Sequence, residues 1–102
     1  MRLFMRQTNV FQTSPVRNRF PPRELLTELI ITVKVFTAAD VLVPDSEKVL
    51  QHIEDGVYRE TMPVLASLVD NTEYNLEIDV KSGTATIWYF YGPIKAIVRR
   101  SL

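Results

Sequence analysis

The sequence predicts an α+β fold: a three- to four-stranded, mainly antiparallel sheet with one long, kinked helix packed on one face, in a β-α-β-β-like order. Three segments support this prediction. They are an alternating apolar run at 28–37, an apolar stripe of helical period between 45 and 70, and two strand-like runs joined by a turn at 74–91. At 102 residues the chain has the length of one domain. We divide it into a basic N-terminal arm at 1–22 and a single α+β domain at 23–102.

The predicted arm lacks the sustained apolar period of a core element. Pro15, Pro21 and Pro22 interrupt any long helix, because proline fixes φ and lacks a backbone donor. We therefore expect extended chain, with a short strand near Leu3–Met5. Pro22 is also placed to begin a short helix over 22–28, since proline is favoured at the first helical position.

The first strand of the domain is predicted over 28–37. Its side chains alternate between two faces, which is the pattern of a strand with one buried side. The residues on the side that we expect to be buried are Leu29, Ile31, Val33 and Val35.

The principal helix is predicted from Asp45 or Ser46, either of which can cap its N-terminus, to about residue 70. Its apolar stripe recurs at three-, four- and seven-residue steps and is expected to pack against the sheet. The stripe consists of Leu50, Ile53, Val57, Val64 and Leu68. Pro63 cannot donate a helical hydrogen bond, so we expect a kink near Thr61.

Residues 74–91 are predicted to form a hairpin that turns within 81–84, where Gly83 tolerates positive φ. With a two-residue connection, the side chains of Trp88 and Phe90 lie on the polar face of the hairpin. A three-residue connection with a bulge at Gly83 shifts the pairing by one residue and moves both rings to the apolar face. We favour the first register because it separates apolar from polar side chains better.

After the hairpin, Gly92-Pro93 is expected to end the strand. A short edge strand over Ile94–Val98 follows, because proline is tolerated at a sheet edge. The chain then ends in a basic tail at 99–102.

Charge is unevenly distributed along a chain whose formal net charge is zero. Residues 1–23 contain five arginines and no acid, residues 24–80 contain all twelve acids with three basic residues, and residues 81–102 contain four basic residues and no acid. Such asymmetry is typical of ends that contact a different surface from the one that the middle presents. We expect the basic ends to meet the acidic bodies of neighbouring copies.

The sequence offers little for catalysis or metal binding. There is no cysteine, so disulfides and thiolate sites are excluded, and His52 is expected to be a solvated surface side chain. Glu77 and Asp79 alternate on one strand face, where we expect a solvated polar surface rather than a catalytic pair. We therefore predict no enzyme activity, no catalytic residue, no cofactor, no metal and no membrane span.

Trp88 and Phe90 belong to a segment with large apolar groups on both sides. Such a strand is usually covered on both faces, so we expect the N-terminal arm or a neighbouring subunit to cover these rings. The alternative is an exposed platform on which a ligand stacks.

These observations predict a non-enzymatic interaction or assembly subunit that self-associates through the edge or face of its sheet and through its arginine-rich ends. The partner is expected to be a second copy or another protein, in a viral or other large assembly. The expected location is the cytoplasm or an assembled particle, not that of a disulfide-bonded secreted protein. The residues predicted to form the interaction surface are Arg17, Arg19, Trp88, Phe90, Arg99 and Arg100. The alternative is a small nucleic-acid-binding protein that uses the same arginines with the strand aromatics.

Overall fold

The computed structural model describes residues 2–18 and 21–98, and in this part of the chain it contains one sheet of seven strands. The strands are β1 (Arg2–Met5), β2 (Asn9–Gln12), β3 (Leu29–Phe36), β4 (Lys48–Glu54), β5 (Val57–Met62), β6 (Thr72–Ser82) and β7 (Ala85–Val98). Their order across the sheet is β1-β7-β6-β3-β4-β5-β2. β1 and β7 are parallel, and the other neighbours are antiparallel. The sheet curls into a nearly closed, barrel-like form.

The predicted α+β fold is wrong, because the described residues form an all-β structure without any helix. The segment assigned to the long kinked helix is instead the β4–β5 hairpin followed by a loop. Asp55 and Gly56 connect the two strands, and both have positive φ, at 49° and 74°. These angles define the two-residue turn that best matches the twist of a hairpin. The short helix predicted over 22–28 is also absent, and Leu26 donates a backbone hydrogen bond to Val16 there at 2.8 Å.

The apolar residues predicted to form a helical stripe are only partly in the core, and those that are buried lie on a strand and in a loop. Leu50 is buried on β4 and Leu68 is buried in the loop after β5. Ile53 and Val64, which the helix required on the same buried face, are 42% and 47% exposed. Pro63 directly follows β5 and kinks no helix.

The first predicted strand is confirmed as β3, and its inward side chains are the ones expected. Leu29, Ile31, Val33 and Val35 are buried. β3 lies in the middle of the sheet between β4 and β6, so its inner face contacts the core along its whole length.

The hairpin at 74–91 is confirmed as part of β6 and β7, but the favoured register is wrong. After a two-residue turn at 83–84, a bulge beside Val80 shifts the pairing, so that Trp88 lies opposite Val80 and Phe90 opposite Ile78. Directly opposed residues of an antiparallel pair share a face. Trp88 and Phe90 therefore lie on the inner face of the sheet, as in the alternative register. A bulge increases local twist and exchanges faces without any change of composition.

The expected break at Gly92-Pro93 is also wrong, since β7 continues through both residues to Val98. β1 pairs with β7 only from Lys95 onward, so Pro93 lies where β7 has a strand on one side only. That is the position at which a sheet tolerates a residue without an N–H donor.

The two edge strands of the sheet, β1 and β2, are joined by hydrogen bonds from one side chain. The short strand expected near Leu3–Met5 is confirmed as β1, and β2 follows it after a short turn. The Asn9 side chain is buried; its Oδ1 accepts a hydrogen bond from the Phe4 N–H at 2.9 Å, and its Nδ2 donates to the Phe4 carbonyl at 3.0 Å. The amide thus joins β1 to β2 and closes one end of the curled sheet. The division into an arm and a domain at residue 22 stays a prediction, although residues 2–12 contribute strands to both ends of the sheet.

The core lies inside the curled sheet and contains side chains from every strand except β2, whose Phe11 packs against it half-buried. Tyr58 on β5 is 1% exposed and spans this interior. Its hydroxyl donates to the Leu26 carbonyl at 2.7 Å and accepts from the Leu29 N–H at 3.1 Å. The phenol therefore connects β5 to the chain that enters β3.

Candidate interaction site

One side of β7 has no strand beside it over residues 85–94, and we call this segment the free edge. β1 covers the same side of β7 only from Lys95 to Val98. Within the described part of the chain, no other strand pairs with the free edge. Its sequence, ATIWYFYGPI, contains no charged residue. The structure therefore leaves a long row of backbone groups that are free to pair with an additional strand.

Large apolar side chains project from both faces of the free edge. Ile87, Trp88, Tyr89, Phe90 and Tyr91 are between 37% and 54% exposed. The rings of Trp88 and Phe90 lie on the inner face and stack, with centroids 6.2 Å apart and planes 8° apart. They remain exposed because β1 is too short to complete the curl of the sheet beside them.

Gly92 fixes the position of the Phe90 ring on the inner face. A Cβ placed on Gly92 would lie 2.6 Å from Phe90 Cζ, a shorter distance than Cβ atoms keep from neighbouring heavy atoms in proteins. The absence of a side chain at Gly92 therefore lets the ring lie over the backbone of β7. Any larger residue would displace the ring and with it the stack on Trp88.

On the outer face, two tyrosines of the free edge are held by carboxylates. The Tyr89 hydroxyl donates to Glu77 Oε2 at 2.9 Å, and this hydrogen bond is the main reason that the pKa of Tyr89 is raised. The Tyr91 hydroxyl donates to Asp40, and that hydrogen bond likewise raises the pKa of Tyr91. Both tyrosines therefore stay neutral at physiological pH, and their rings are held against an acidic neighbourhood.

A cleft opens between the inner face at Trp88 and the segment that follows β2, and we call it the Trp88 cleft. Its volume is about 560 Å³. The lining residues are Thr13, Val16, Arg17, Ile31, Ile78, Val80, Ile87 and Trp88. The segment at 13–16 is held to the β4–β5 hairpin by backbone hydrogen bonds from Thr13 to Tyr58 and from Val16 to Gly56, both at 2.9 Å. The cleft therefore lies over the inner faces of β3, β6 and β7, and the segment at 13–17 forms its other side.

Three of the residues predicted for the interaction surface come together at this cleft. Arg17 and Trp88 line it from opposite walls, and Phe90 stacks on Trp88. Arg19, Arg99 and Arg100 lie outside the described residues. The expectation that the N-terminal segment covers the rings is not met for Trp88, which remains 53% exposed.

Sequence reasoning missed the residues that complete the site. Val16 and Ile87 have no local signal for a cleft, because their roles depend on contacts between distant parts of the chain. The free edge did carry a signal, since residues 82–94 form an uncharged run rich in aromatic and β-branched residues. Such a run on a strand without a second neighbour indicates an association site.

The residues considered for catalysis are engaged in local contacts. His52 Nε2 accepts a hydrogen bond from the Gly56 N–H at 3.2 Å, and its ring lies 5.2 Å from that of Tyr58. Asp79 Oδ2 lies 3.6 Å from Lys81 Nζ. Among residues 2–18 and 21–98, no three acidic or histidine side chains cluster in a way that could hold a metal ion. The same residues include no helix long and apolar enough to cross a membrane.

Fold and site together define an all-β, barrel-like protein with an uncharged free edge and an apolar cleft beside it. In comparisons with known proteins, the chain matches no family model, no curated protein and no solved structure.

Proposed function

We propose that the protein is a non-enzymatic interaction subunit that forms a homodimer by pairing the free edge of β7 with the free edge of a second copy. The observation that carries this proposal is the ten-residue span from Ala85 to Ile94, which lacks a strand on one side and presents exposed aromatic rings. An exposed apolar edge favours strand addition, because backbone hydrogen bonds and side-chain contacts form together.

The chemistry of the free edge favours a second copy as the partner. Proteins protect exposed edges with charged side chains, especially lysine, and this edge has none between Ala85 and Ile94. Two such edges can meet without repulsion between like charges, which destabilises directly opposed residues in a sheet. Two features of the free edge oppose pairing with another strand, namely the bulge beside Val80 and Pro93.

The length of the free edge selects a register. An antiparallel pair centred on Tyr89 places Trp88 opposite Phe90 of the second copy and Ile87 opposite Tyr91 of the second copy. These are aromatic and β-branched pairs, which stabilise antiparallel sheets. In this register the turn of the second copy falls beside Lys95, where β1 begins to cover β7. A register shifted further along β7 would collide with β1.

A closed dimer follows from the number of free edges. The far side of β1 is joined to β2 through Asn9, so β7 supplies the long edge available for pairing in the described part of the chain. A self-complementary edge used once per copy gives a two-fold dimer and not an open fibre. Such a dimer requires no exchange of residues 2–12 between copies, since β1 and β2 pair within their own sheet.

Sedimentation velocity over a range of protein concentrations tests this proposal. We expect the wild type to dimerise and Tyr89→Lys to weaken dimerisation by roughly 30-fold or more, as expected for a central aromatic contact. Val49→Lys is the matched control, because Val49 is 45% exposed, against 54% for Tyr89, but lies on the interior strand β4. Circular dichroism is used to check that both variants keep the fold.

A wild type that stays monomeric at every concentration would overturn the proposal, as would equal weakening by both lysine variants. The same samples address the nucleic-acid alternative by titration with single-stranded DNA at low and high salt. We expect no salt-dependent binding, because Glu77 and Asp40 accept hydrogen bonds from the edge tyrosines and would repel phosphate.

A further inference from the structure

The Trp88 cleft has the size and surface of a small-molecule site. Its volume of 560 Å³ lies within the range of roughly 300–1,000 Å³ that is typical of ligand pockets. Its floor consists of Ile31, Ile78 and Val80, and Val16 and Trp88 form parts of its walls. At roughly 30 Å³ per water-sized group, it accommodates on the order of ten to twenty non-hydrogen atoms.

The polar groups of the cleft are few and carry one sign of charge. Among residues 2–18 and 21–98, Arg17 is the charged residue of the lining, and no carboxylate lines the cleft. Its guanidinium donates one long hydrogen bond, of 3.4 Å, to the carbonyl of Arg23, which leaves other N–H groups of the fork available. Thr13 Oγ1 already accepts a hydrogen bond from the Tyr58 N–H at 3.1 Å. In the described part of the chain, the cleft thus pairs an apolar interior with one cation, Arg17.

We infer that the Trp88 cleft binds an amphipathic carboxylate, with its apolar body on Ile78, Val80 and Trp88 and its carboxylate on Arg17. A ligand without polar groups in its body suits the floor, because an unpaired polar group there would lose its hydrogen bonds to water. A carboxylate suits the planar guanidinium, which binds it through charge-assisted hydrogen bonds. This inference goes beyond the proposed dimer and requires no second copy.

Trp88 makes the test direct, because it is the only tryptophan of the chain and lines the cleft. The full chain is titrated with decanoate, decan-1-ol and decyltrimethylammonium, each below the concentration at which it forms micelles. We expect saturable binding of decanoate with a change in Trp88 emission. The alcohol and the cation should bind at least roughly tenfold more weakly than decanoate.

Separate variants test where the carboxylate of the ligand binds and where its apolar body binds. Arg17→Gln is expected to abolish the preference for decanoate over decan-1-ol, whereas Arg59→Gln, an exposed arginine on β5, is expected to leave it unchanged. Val16→Phe places a ring in the cleft and is expected to weaken decanoate and decan-1-ol alike.

Several results would overturn the inference. These are the absence of a saturable change, equal affinities for the three amphiphiles, or a preference for decanoate that survives Arg17→Gln. Sedimentation without any amphiphile measures dimerisation independently, so a failure of the dimer and a failure of the cleft are distinguishable.

Discussion

Removing one oxygen from the core, by Tyr58→Phe, should destabilise the protein without creating a cavity. Tyr58 is 1% exposed, and its hydroxyl bridges the Leu26 carbonyl at 2.7 Å and the Leu29 N–H at 3.1 Å. Phenylalanine keeps the ring and removes both hydrogen bonds. The bridge exists because β5 faces the entry to β3 across the interior, so the substitution tests the curled sheet itself.

The magnitude follows from the groups that lose their partner. A buried donor left without a hydrogen bond costs about 1–3 kcal/mol, and loss of the second, partly buried bond adds about 1 kcal/mol. We therefore expect Tyr58→Phe to lower the free energy of unfolding by about 2–4 kcal/mol. For a domain near 100 residues, each 1 kcal/mol lowers Tm by roughly 4–8 °C.

Urea denaturation followed by far-ultraviolet circular dichroism measures this loss, with two tyrosines as graded controls. Tyr74→Phe removes one partly buried bond, from the Val69 N–H at 2.9 Å, and should cost about 1 kcal/mol. Tyr89→Phe removes an exposed bond to Glu77 and should have no measurable effect on the monomer. A loss for Tyr58→Phe no larger than that for Tyr89→Phe would refute the reasoning.

Two further predictions concern the turns and the outer face. Gly83→Ala should cost about 1 kcal/mol, because its positive φ is unfavourable for alanine but nothing lies within 4 Å of the new Cβ. Gly56→Ala should cost clearly more by thermal denaturation, since its Cβ would lie 2.8 Å from the Val16 carbonyl oxygen; equal losses would contradict this packing. In an alkaline titration of tyrosinate absorbance, Glu77→Gln should lower the pKa of Tyr89, because the hydrogen bond to that carboxylate raises it. An unchanged titration would contradict the hydrogen bond.

β3 was predictable because strict alternation at 29–36 has one structural solution. Leu29 to Val35 alternate with more exposed residues, and the burial of the strand follows that order. The β6–β7 hairpin was predictable for the same reason, since period-two alternation at 76–80 leads into a turn with Gly83.

The β4–β5 hairpin was missed because two local patterns compete in the same segment. Leu50, Ile53 and Val57 match a helical stripe, whereas the Asp55-Gly56 dipeptide between two runs of β-branched and aromatic residues is a strong hairpin signal. The turn prevailed because positive φ at two successive residues is incompatible with a helix.

The candidate site was predictable in part. Trp88 and Phe90 stand out as large apolar residues, and Arg17 as a cation in a segment without acids. Their faces depend on a bulge, and the cleft depends on residues 13–17 approaching β7 from the other end of the chain. Such juxtapositions arise from sheet order, which no local pattern encodes.

The central claim, that two free edges pair around Tyr89, is tested most directly by disulfide trapping. The chain contains no cysteine, so a single introduced cysteine can form a disulfide only with another copy. In the proposed register Tyr89 lies opposite its own counterpart, at a cross-strand distance close to that of a disulfide. Under mild oxidation, Tyr89→Cys should yield a disulfide-linked dimer rapidly, while Val49→Cys should form no disulfide between copies. Equal trapping of both variants, or none for Tyr89→Cys, would contradict the pairing.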